Sequence, residues 1–248
     1  MTNYQIYAKV MLEGTLSNPN KWMLRPAIEM AHKIMKLCPP KRSVLDLGCG
    51  VGELTRLLSV NGYECFGVDL NSELIDVARV NNPDGRYWCQ DFLQNTSFIP
   101  PASIVVATHE VFNMVEDWQS FLNVAARKVI SGGVLIFDLI TSRGFETWND
   151  VQIQERSDFF MLQKCIYSEQ LKRGTVKLTG FLQDGEIYRR FDILSDVFNH
   201  DITNVVLALQ NMSFDVKCFP EWSDLSSSEV DIGGVGQHTK VNLVCTRI

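Results

Sequence analysis

Three glycines and an aspartate stand close together in the segment SVLDLGCGVGELT, residues 43–55. Gly48, Gly50 and Gly52 follow an apolar run, a pattern typical of a backbone that closes around a ligand. Asp46 lies two residues before the first of these glycines. The ligand of this loop must therefore tolerate a carboxylate beside the backbone that binds it.

A nicotinamide dinucleotide fits this loop poorly. Its fingerprint G-x-G-x-x-G requires a glycine where Glu53 stands. Asp46 and Glu53 would also face a pyrophosphate, and two unit charges of one sign 4 Å apart repel by about 4 kcal/mol at an effective dielectric constant near 20. No G-K-[ST] follows the glycines, which excludes a Walker loop as well.

A cationic ligand reverses this argument. S-adenosylmethionine carries a sulfonium and an ammonium, together with a carboxylate that helix amides could receive. Asp69 in GVDLN and Asp91 in CQDF follow the next two predicted strands. Asp69 is placed to accept hydrogen bonds from both ribose hydroxyls, and Asp91 is placed to accept one from the adenine amino group. Because parallel strands present their carboxyl ends at one edge of a sheet, the three acids predict a single site.

The segments that must position these acids alternate between strand and helix patterns from residue 43 onward. Apolar strands without alternation, interleaved with helices, indicate a parallel sheet covered on both faces. A helix over residues 20–37 precedes them and ends at Pro39–Pro40. The predicted strands are SVLDL, YECFGVDL, RYWCQDF, SIVVATHE and GGVLIFDL, and the helices are GELTRLLSVNG, NSELIDVARVNN (opened by Asn71 or Ser72) and EDWQSFLNVAARKVI.

The alternation of strand and helix patterns ends after residue 150. Three antiparallel strands are predicted, with turns near Leu171–Gly174 and at Asp184–Gly185. A helix opened by Asp201 and two last strands, FDVKCFP and VNLVCTRI, complete the chain. The predicted fold is α/β: a doubly wound, Rossmann-like, seven-stranded mixed sheet with helices on both faces, an N-terminal helical lid and a small antiparallel insertion after strand five.

We expect a single domain over residues 1–248. Within it, residues 1–40 would form the lid and residues 41–150 the core around the glycine loop. Residues 151–200 would form an antiparallel cover inserted in the core, here called the roof, and residues 201–248 would complete the core sheet.

The motifs VLDLGCGVGELT, GVDLN, CQDF and SGGVLIFDL resemble those of class I S-adenosylmethionine-dependent methyltransferases, over residues 43–139. The resemblance implies that Asp46 supports the methionine end of the cofactor while Gly48, Gly50 and Gly52 let the backbone close around it. The other cofactor-binding residues that it implies are Asp69 at the ribose, Leu70 packed on adenine, Asp91 and the Phe92 amide at the adenine edge, and the backbone of Thr108 near the ammonium.

Beyond the core, the layout is similar to that of small-molecule methyltransferases, including sugar-amine N-methyltransferases. In such enzymes an N-terminal segment often covers the cofactor, which makes candidates of Tyr4, Tyr7, Trp22 and Arg25; Tyr7 and Arg25 are the two that we assign to cofactor binding. The alternative for each is packing of an amphipathic N-terminal helix.

Methyl transfer depends mainly on alignment, which can supply effective molarities of about 10⁵–10⁸ M. A general base is needed only when the nucleophile must lose a proton. His109, just after strand four, has a side chain suited to this role, and the neighbouring Glu110 could hold an ammonium or a hydroxyl. The alternative is that one of them caps the next helix. Asp138 is expected to end strand five or cap a turn, and a role for the loop residue His238 stays open.

The acceptor is expected to be a small-molecule metabolite, methylated at nitrogen or oxygen. The tetrapeptide N-P-P-[YF] of base-amino methyltransferases is absent after strand four, and so is a Pro-Cys nucleophile. A net charge of −6 without a long basic run disfavours nucleic acid and anionic membranes. Two alternatives remain: a non-catalytic S-adenosylmethionine-binding subunit of a partner enzyme, and an aminopropyltransferase-like relative using decarboxylated cofactor.

We expect the protein to be cytoplasmic. Seven dispersed cysteines without a C-x-x-C pair indicate reduced thiols. The N-terminus lacks a signal-peptide pattern, and no apolar run approaches the ~20 residues of a membrane span. No metal site is expected, and a homodimer formed through a flat roof remains open.

Overall fold

The structure, a computed structural model, describes residues 6, 8, 24–39, 42–94, 96–220 and 229–248. The helices in this part of the chain are α1 Leu24–Leu37, α2 Glu53–Ser59, α3 Ser72–Asn81, α4 Trp118–Lys128, α5 Ser142–Glu146, α6 Ile202–Asn211 and α7 Ile232–Val235. The strands are β1 Ser43–Leu47, β2 Glu64–Asp69, β3 Arg86–Cys89, β4 Ala102–Ala107, β5 Val129–Ile140, β6 Val151–Glu155, β7 Phe159–Ser168, β8 Arg173–Asp184, β9 Ile187–Phe198, β10 Phe214–Pro220 and β11 Lys240–Arg247.

Seven strands form the central sheet in the order β10-β11-β5-β4-β1-β2-β3. Strands β1 to β5 run parallel, whereas β11 is antiparallel to both β5 and β10. The chain turns in opposite directions on either side of β1 and β4, which creates a crevice at the carboxyl ends of these strands. The predicted doubly wound mixed sheet is confirmed.

Both faces of the sheet are buried, which explains why its strands are continuously apolar. Leu45 of β1 packs into one layer with Phe121 of α4 and Val205 of α6. Val44, the preceding residue, packs into the opposite layer with Ile34 of α1 and Leu58 of α2. Neighbouring side chains of one strand therefore enter different cores, and both must be apolar.

Polar caps start the helices where the sequence predicts them. The Asn71 side chain accepts hydrogen bonds from the amides of Glu73 at 3.0 Å and Leu74 at 3.2 Å, so Asn71, and not Ser72, is the cap of α3. Asp201 caps α6 in the same way, through the amide of Thr203 at 2.8 Å. These caps satisfy amides that the first helical turn leaves without partners.

The roof is a separate antiparallel sheet in the order β6-β7-β8-β9. It contains one strand more than predicted, β6, which pairs with β7 from Val151 opposite Lys164 to Glu155 opposite Phe160. This edge strand is short and largely exposed, so its sequence VQIQE shows little of the apolar signal of a core strand. The first turn spans residues 169–172, slightly before the predicted position, and the second contains Gly185 as predicted.

The buried Asn113 ties the roof to the core. Its side-chain oxygen accepts a hydrogen bond from the Ile140 amide at 2.8 Å, at the end of β5. Its side-chain nitrogen donates to the Phe198 carbonyl at 2.9 Å, at the end of β9, and the Phe198 amide donates back to the Asn113 carbonyl at 2.6 Å. The segment after β4 is thus held between the core sheet and the roof.

None of the helices within the described ranges is both long and apolar enough to cross a membrane.

Candidate functional site

The three loop glycines are required for different reasons, although all have positive φ (78° at Gly48, 53° at Gly50 and 73° at Gly52). A Cβ atom on Gly48 would lie 2.6 Å from Cγ2 of Val111, and one on Gly52 would lie 3.0 Å from Cβ of Ala78. A Cβ atom on Gly50 would meet nothing within 4 Å. Gly48 and Gly52 therefore permit packing within the protein, whereas Gly50 leaves an open face toward the crevice.

Asp69 organises this loop from the end of β2. Its Oδ2 atom accepts a hydrogen bond from the Gly50 amide and its Oδ1 atom accepts one from the Asn71 amide, both at 2.9 Å. The amide of Gly48 donates to the Val68 carbonyl at 2.8 Å. Each carboxylate oxygen retains capacity for a further donor, so Asp69 can still receive hydroxyl groups of a ligand.

Asp46 is the most deeply buried acid of this region, with 3% of its surface exposed. Burial, reinforced by the nearby Asp69, raises the pKa of Asp46 to about 7. Within the described part of the chain, no lysine, arginine or histidine forms an ion pair with Asp46 or Asp69. A positively charged ligand would stabilise the ionised form of such a buried carboxylate.

The residues predicted at the adenine lie near the ends of β2 and β3. Leu70 is 62% exposed and offers an apolar surface next to Asp69. Asp91 accepts hydrogen bonds from the Leu93 amide at 2.9 Å and from Nε2 of Gln94 at 3.1 Å, and it thereby shapes the turn after β3. The Phe92 ring packs edge-to-face on Phe121 in the core, so only its backbone amide suits the predicted contact.

The chain after β4 adopts an unusual backbone. Thr108 is buried, and His109 and Glu110 follow with φ values of 63° and 68°. Left-handed backbone costs roughly 1–2 kcal/mol at each residue other than glycine. Both amides donate to the carboxylate of Asp138 on β5, at 3.1 Å from His109 and 2.9 Å from Glu110. Charge-assisted hydrogen bonds of this kind, worth about 1.5–3 kcal/mol each, offset the cost.

Lys240, the first residue of β11, completes this cluster. Its Nζ atom lies 2.7 Å from Oδ2 of Asp138 and 3.4 Å from Oε1 of Glu110, and 13% of its side chain is exposed. Burial alone would raise the pKa of Asp138, but the attraction and hydrogen bond of Lys240 hold it below its ordinary value. Burial lowers the pKa of His109, against the opposing effect of Asp138. The imidazole is therefore neutral at neutral pH.

The crevice thus has two halves of different character. The β1–β2 half contains Asp46, Gly50 and Asp69, and it presents carboxylates without a described counter-ion. The β4–β5 half contains His109, Glu110, Asp138 and Lys240, and its deepest carboxylate already has a cation. The first half is suited to a cationic ligand, and the second to a group that gives up a proton or pairs with the half-exposed Glu110.

The sequence-based predictions for the β4–β5 half need three corrections. Neither His109 nor Glu110 caps the next helix, because residues 111–114 form turns and Asp117 caps α4. Asp138 does not end β5, which continues to Ile140, but its side chain holds a turn as expected. Lys240 was missed; a single lysine in GQHTKVNLV carries no local signal, and only the pairing of β11 with β5 brings it to Asp138.

The N-terminal candidates mostly fall beyond the part of the chain that is described. Tyr4, Tyr7 and Trp22 lie outside the described residues. Arg25 is the second residue of α1, and the placement of its side chain is outside the description as well. Their roles at the cofactor stay predictions, as do the domain boundaries.

A cleft of about 330 Å³ lies where the roof joins the core. None of the predicted site residues lines it. Its lining consists of Thr141, Ser142, Lys172, Asn199, His200, Asp201, Ile202, Val235 and Gly236.

Comparisons with known proteins identify methyltransferases as relatives of this chain. Residues 45–137 match a family model described as a methyltransferase domain. The ubiquinone biosynthesis O-methyltransferase of Coxiella burnetii is 32% identical over 167 residues, which are 66% of this chain and 70% of that protein.

Two solved structures share the layout of nearly the whole chain. A S-adenosylmethionine-dependent methyltransferase from Clostridium acetobutylicum superposes with a TM-score of 0.77 at 17% identity, over 99% of both chains. The amino pentose methyltransferase CalS10 of Micromonospora echinaspora, solved with SAM bound, superposes with a TM-score of 0.73 at 15% identity, over 98% of this chain and 97% of that chain. At these identities the similarity establishes the fold.

Proposed function

The chain belongs to the class I S-adenosylmethionine-dependent methyltransferases, and we propose that it methylates a nitrogen or an oxygen of a small-molecule metabolite. The family and the enzyme class predicted from residues 43–139 are confirmed by the matching family model and by the 32% identical relative. The predicted cofactor is confirmed by the family model together with the methyltransferase of the same fold that was solved with SAM bound. The acceptor and the atom methylated belong to the proposal, together with the role of each residue.

The observation that carries the proposal is the state of Asp46. This buried carboxylate has a pKa raised to about 7 and lies beside the loop whose Gly50 is open to the crevice. A ligand that brings a positive charge relieves the unfavourable electrostatics of Asp46 and Asp69 together. S-adenosylmethionine meets this requirement and, when bound, supplies an electrophilic methyl carbon next to its sulfonium.

The residues of the β1–β2 half divide the binding of the cofactor among them. Asp46 attracts the positively charged methionine end, near the backbone of Thr108. Asp69 accepts hydrogen bonds from the ribose hydroxyls while its other lone pairs keep the Gly50 and Asn71 amides in place. At the adenine, Leu70 supplies apolar contact, and Asp91 and the Phe92 amide supply polar contacts.

The β4–β5 half receives the methyl acceptor. S-adenosylmethionine bound in the β1–β2 half would supply its methyl group to a nitrogen or oxygen lone pair of the acceptor, with the thioether sulfur as the leaving group. The neutral imidazole of His109 takes the proton that the acceptor loses. Glu110 is 38% exposed at its side chain and orients an ammonium or hydroxyl group of the acceptor.

A small acceptor is supported by the charge of the protein. The net charge of −6 repels polyanions, and the two halves of the crevice contain more carboxylates than cations.

Cofactor binding is tested by thermal unfolding with S-adenosylmethionine, S-adenosylhomocysteine and NADH, measured in parallel. A ligand at about 100 times its dissociation constant adds roughly 2.7 kcal/mol, which corresponds to roughly 5–10 °C for a chain of this size. We expect this shift with both sulfur ligands and none with NADH. The absence of a shift with both sulfur ligands would contradict the assignment of the crevice.

Transfer itself is tested by incubation with isotope-labelled methyl donor and a panel of amines, phenols and carboxylic acids. Labelled product with a small amine or hydroxyl compound supports the proposal. Cofactor binding without transfer to any compound supports a non-catalytic subunit instead. Tighter binding of decarboxylated S-adenosylmethionine than of S-adenosylmethionine supports an aminopropyltransferase-like enzyme.

A further inference from the structure

We propose that Lys240 is a positioning residue for methyl transfer, because through Asp138 it holds His109 and Glu110 in the backbone conformation that forms the acceptor site. This inference rests on the proposed function of the β4–β5 half. Lys240 lies on β11, 130 residues after Glu110.

The first step of the argument is the backbone of the two site residues. His109 and Glu110 are consecutive and both left-handed, whereas the other left-handed residues apart from glycine within the described ranges, Asn149, Lys172 and Ser213, are isolated. Two adjacent left-handed residues point both amides to the same side of the chain, where they meet one carboxylate. The side chains of His109 and Glu110 therefore depend on Asp138 for their direction.

The second step is the protonation state of Asp138. Its two oxygens each accept one of these amides, at 3.1 Å for Oδ2 and 2.9 Å for Oδ1. Both oxygens can act as acceptors without competition only while the group is ionised, because a protonated carboxyl donates from one of them. A carboxyl that is 5% exposed stays ionised only with a counter-ion.

The third step is that Lys240 supplies this counter-ion. Its Nζ atom lies 2.7 Å from Oδ2 of Asp138, the same oxygen that accepts the His109 amide. Among the described residues, the charged and titratable groups around Asp138 are Lys240, His109 and Glu110, and Lys240 is the permanent cation of the three. Lys240 lies closer to Asp138 than to Glu110, at 2.7 Å against 3.4 Å, so the more exposed Glu110 is the carboxylate that can meet the acceptor.

The sheet itself does not depend on this ion pair. Strand β11 forms seven residue pairs with β5 on one side and seven with β10 on the other. Loss of the Lys240 charge should consequently act on residues 109–110 far more than on the strands, and this difference separates a positioning role from a general structural one.

The experiment compares Lys240→Met, which keeps the length of the side chain without its charge, with Lys240→Arg, which keeps the charge. Lys217→Met is the matched control, since Lys217 lies on neighbouring β10 and forms an exposed ion pair with Glu229 at 3.2 Å. Amide hydrogen exchange is measured by NMR for each protein, free and saturated with S-adenosylhomocysteine. The dissociation constant of S-adenosylhomocysteine is measured by calorimetry.

We expect Lys240→Met to speed exchange of the His109 and Glu110 amides by at least about tenfold, as loss of charge-assisted hydrogen bonds implies. Exchange in β5 and β11 should change far less, and the affinity for S-adenosylhomocysteine should stay within about threefold because Lys240 lies outside the β1–β2 half. Lys240→Arg should restore slow exchange, and Lys217→Met should leave it unchanged. With an acceptor from the panel, kcat should fall by about 100-fold in Lys240→Met while the KM for S-adenosylmethionine changes little.

Unchanged exchange at residues 109–110 in Lys240→Met would overturn the proposal, and so would an equal loss of protection throughout β5 and β11. Wild-type protein that binds neither sulfur ligand would instead contradict the proposed function. The exchange of the free protein would still decide whether Lys240 holds the two residues.

Discussion

Asp46 and Asp138 are buried carboxylates at the same edge of one sheet, and they are in opposite electrostatic states. They are exposed by 3% and 5%, so burial penalises both alike. The pKa of Asp46 is raised to about 7 by burial and by Asp69, whereas the pKa of Asp138 is held below its ordinary value in spite of burial, by Lys240. The difference shows that the counter-ion, and not depth, determines what each carboxylate can do.

This difference assigns a task to each half of the crevice. In the β4–β5 half the buried carboxylate of Asp138 has a counter-ion, since Nζ of Lys240 lies 2.7 Å from its Oδ2 atom. In the β1–β2 half, no described residue supplies a counter-ion to the two carboxylates, and a cationic ligand would relieve this unfavourable interaction. The first arrangement stabilises the folded protein, and the second reduces its stability in favour of binding.

The largest expected effect comes from removing the charge of Asp138 in the β4–β5 half. Asp138→Asn should destabilise the protein by about 3 kcal/mol, because it removes the negative charge that lies 2.7 Å from the largely buried Nζ of Lys240. Denaturant unfolding at pH 7 measures the loss. Since the folded pKa of Asp138 lies below its unfolded value of about 3.8, the advantage of the wild type is full above that pH and disappears as pH falls through the folded pKa. An equal difference at acidic and neutral pH would contradict the role of the charge.

Asp69→Ala should weaken binding of the cofactor. The variant loses the ribose contact and the hydrogen bonds to the Gly50 and Asn71 amides, so affinity for S-adenosylhomocysteine should fall by at least about 100-fold. Calorimetry measures this, with Asp76→Ala on the exposed side of α3 as the control. Unchanged affinity in Asp69→Ala would remove Asp69 from the ribose site.

His109→Gln should lower turnover in the β4–β5 half without changing cofactor binding in the β1–β2 half. Turnover with an acceptor that must lose a proton should fall by about 100-fold, which is the lower end of general-base contributions. Affinity for S-adenosylhomocysteine should stay within about threefold, because the β1–β2 half is intact. Steady-state kinetics and calorimetry on the same preparation test this, and full activity would reduce His109 to a structural residue.

Asp46→Asn should stabilise the free protein, whereas Asp138→Asn should destabilise it. The folded pKa of about 7 lies above the unfolded value of 3.8, so the wild type carries no penalty below the unfolded pKa and the full penalty above about 7. A shift of this size corresponds to a penalty of about 4 kcal/mol. Because an amide is itself costly to bury, the substitution should recover about 1–3 kcal/mol of it at pH 8 and none near pH 4. Unfolding at the two pH values measures it, and a gain that does not depend on pH would contradict the electrostatic explanation.

The smallest expected effect is on the pH dependence of cofactor binding. A proton on Asp46 competes with a cationic ligand, so affinity for S-adenosylmethionine should fall by up to about tenfold between pH 7 and pH 6. The Asp46→Asn variant should bind more weakly and show no such slope. Equal slopes in both proteins would place the titrating group elsewhere.

The sequence alone predicted the fold class and the β1–β2 half, because the signals for both are local. Continuous apolar strands and the glycines of residues 48–52 occupy short segments whose spacing is set by the backbone itself. Asp46 and Asp69 belong to such segments, and the parallel order of strands brings them together without further information. The same reasoning located His109 and Glu110 after β4.

Only the tertiary structure decided which carboxylate has a counter-ion. Lys240 reaches Asp138 because β11 runs antiparallel on β5 with Asn242 opposite Asp138, a register that no local pattern of the sequence encodes. Asn113 joins β5 to the roof through Ile140 and Phe198, partners far along the chain that no local pattern of the sequence indicates. Strand β6 also escaped prediction, since its exposed edge lacks the apolar periodicity that burial imposes. Local sequence thus determined which groups face the crevice, and long-range pairing determined the charge each of them carries there.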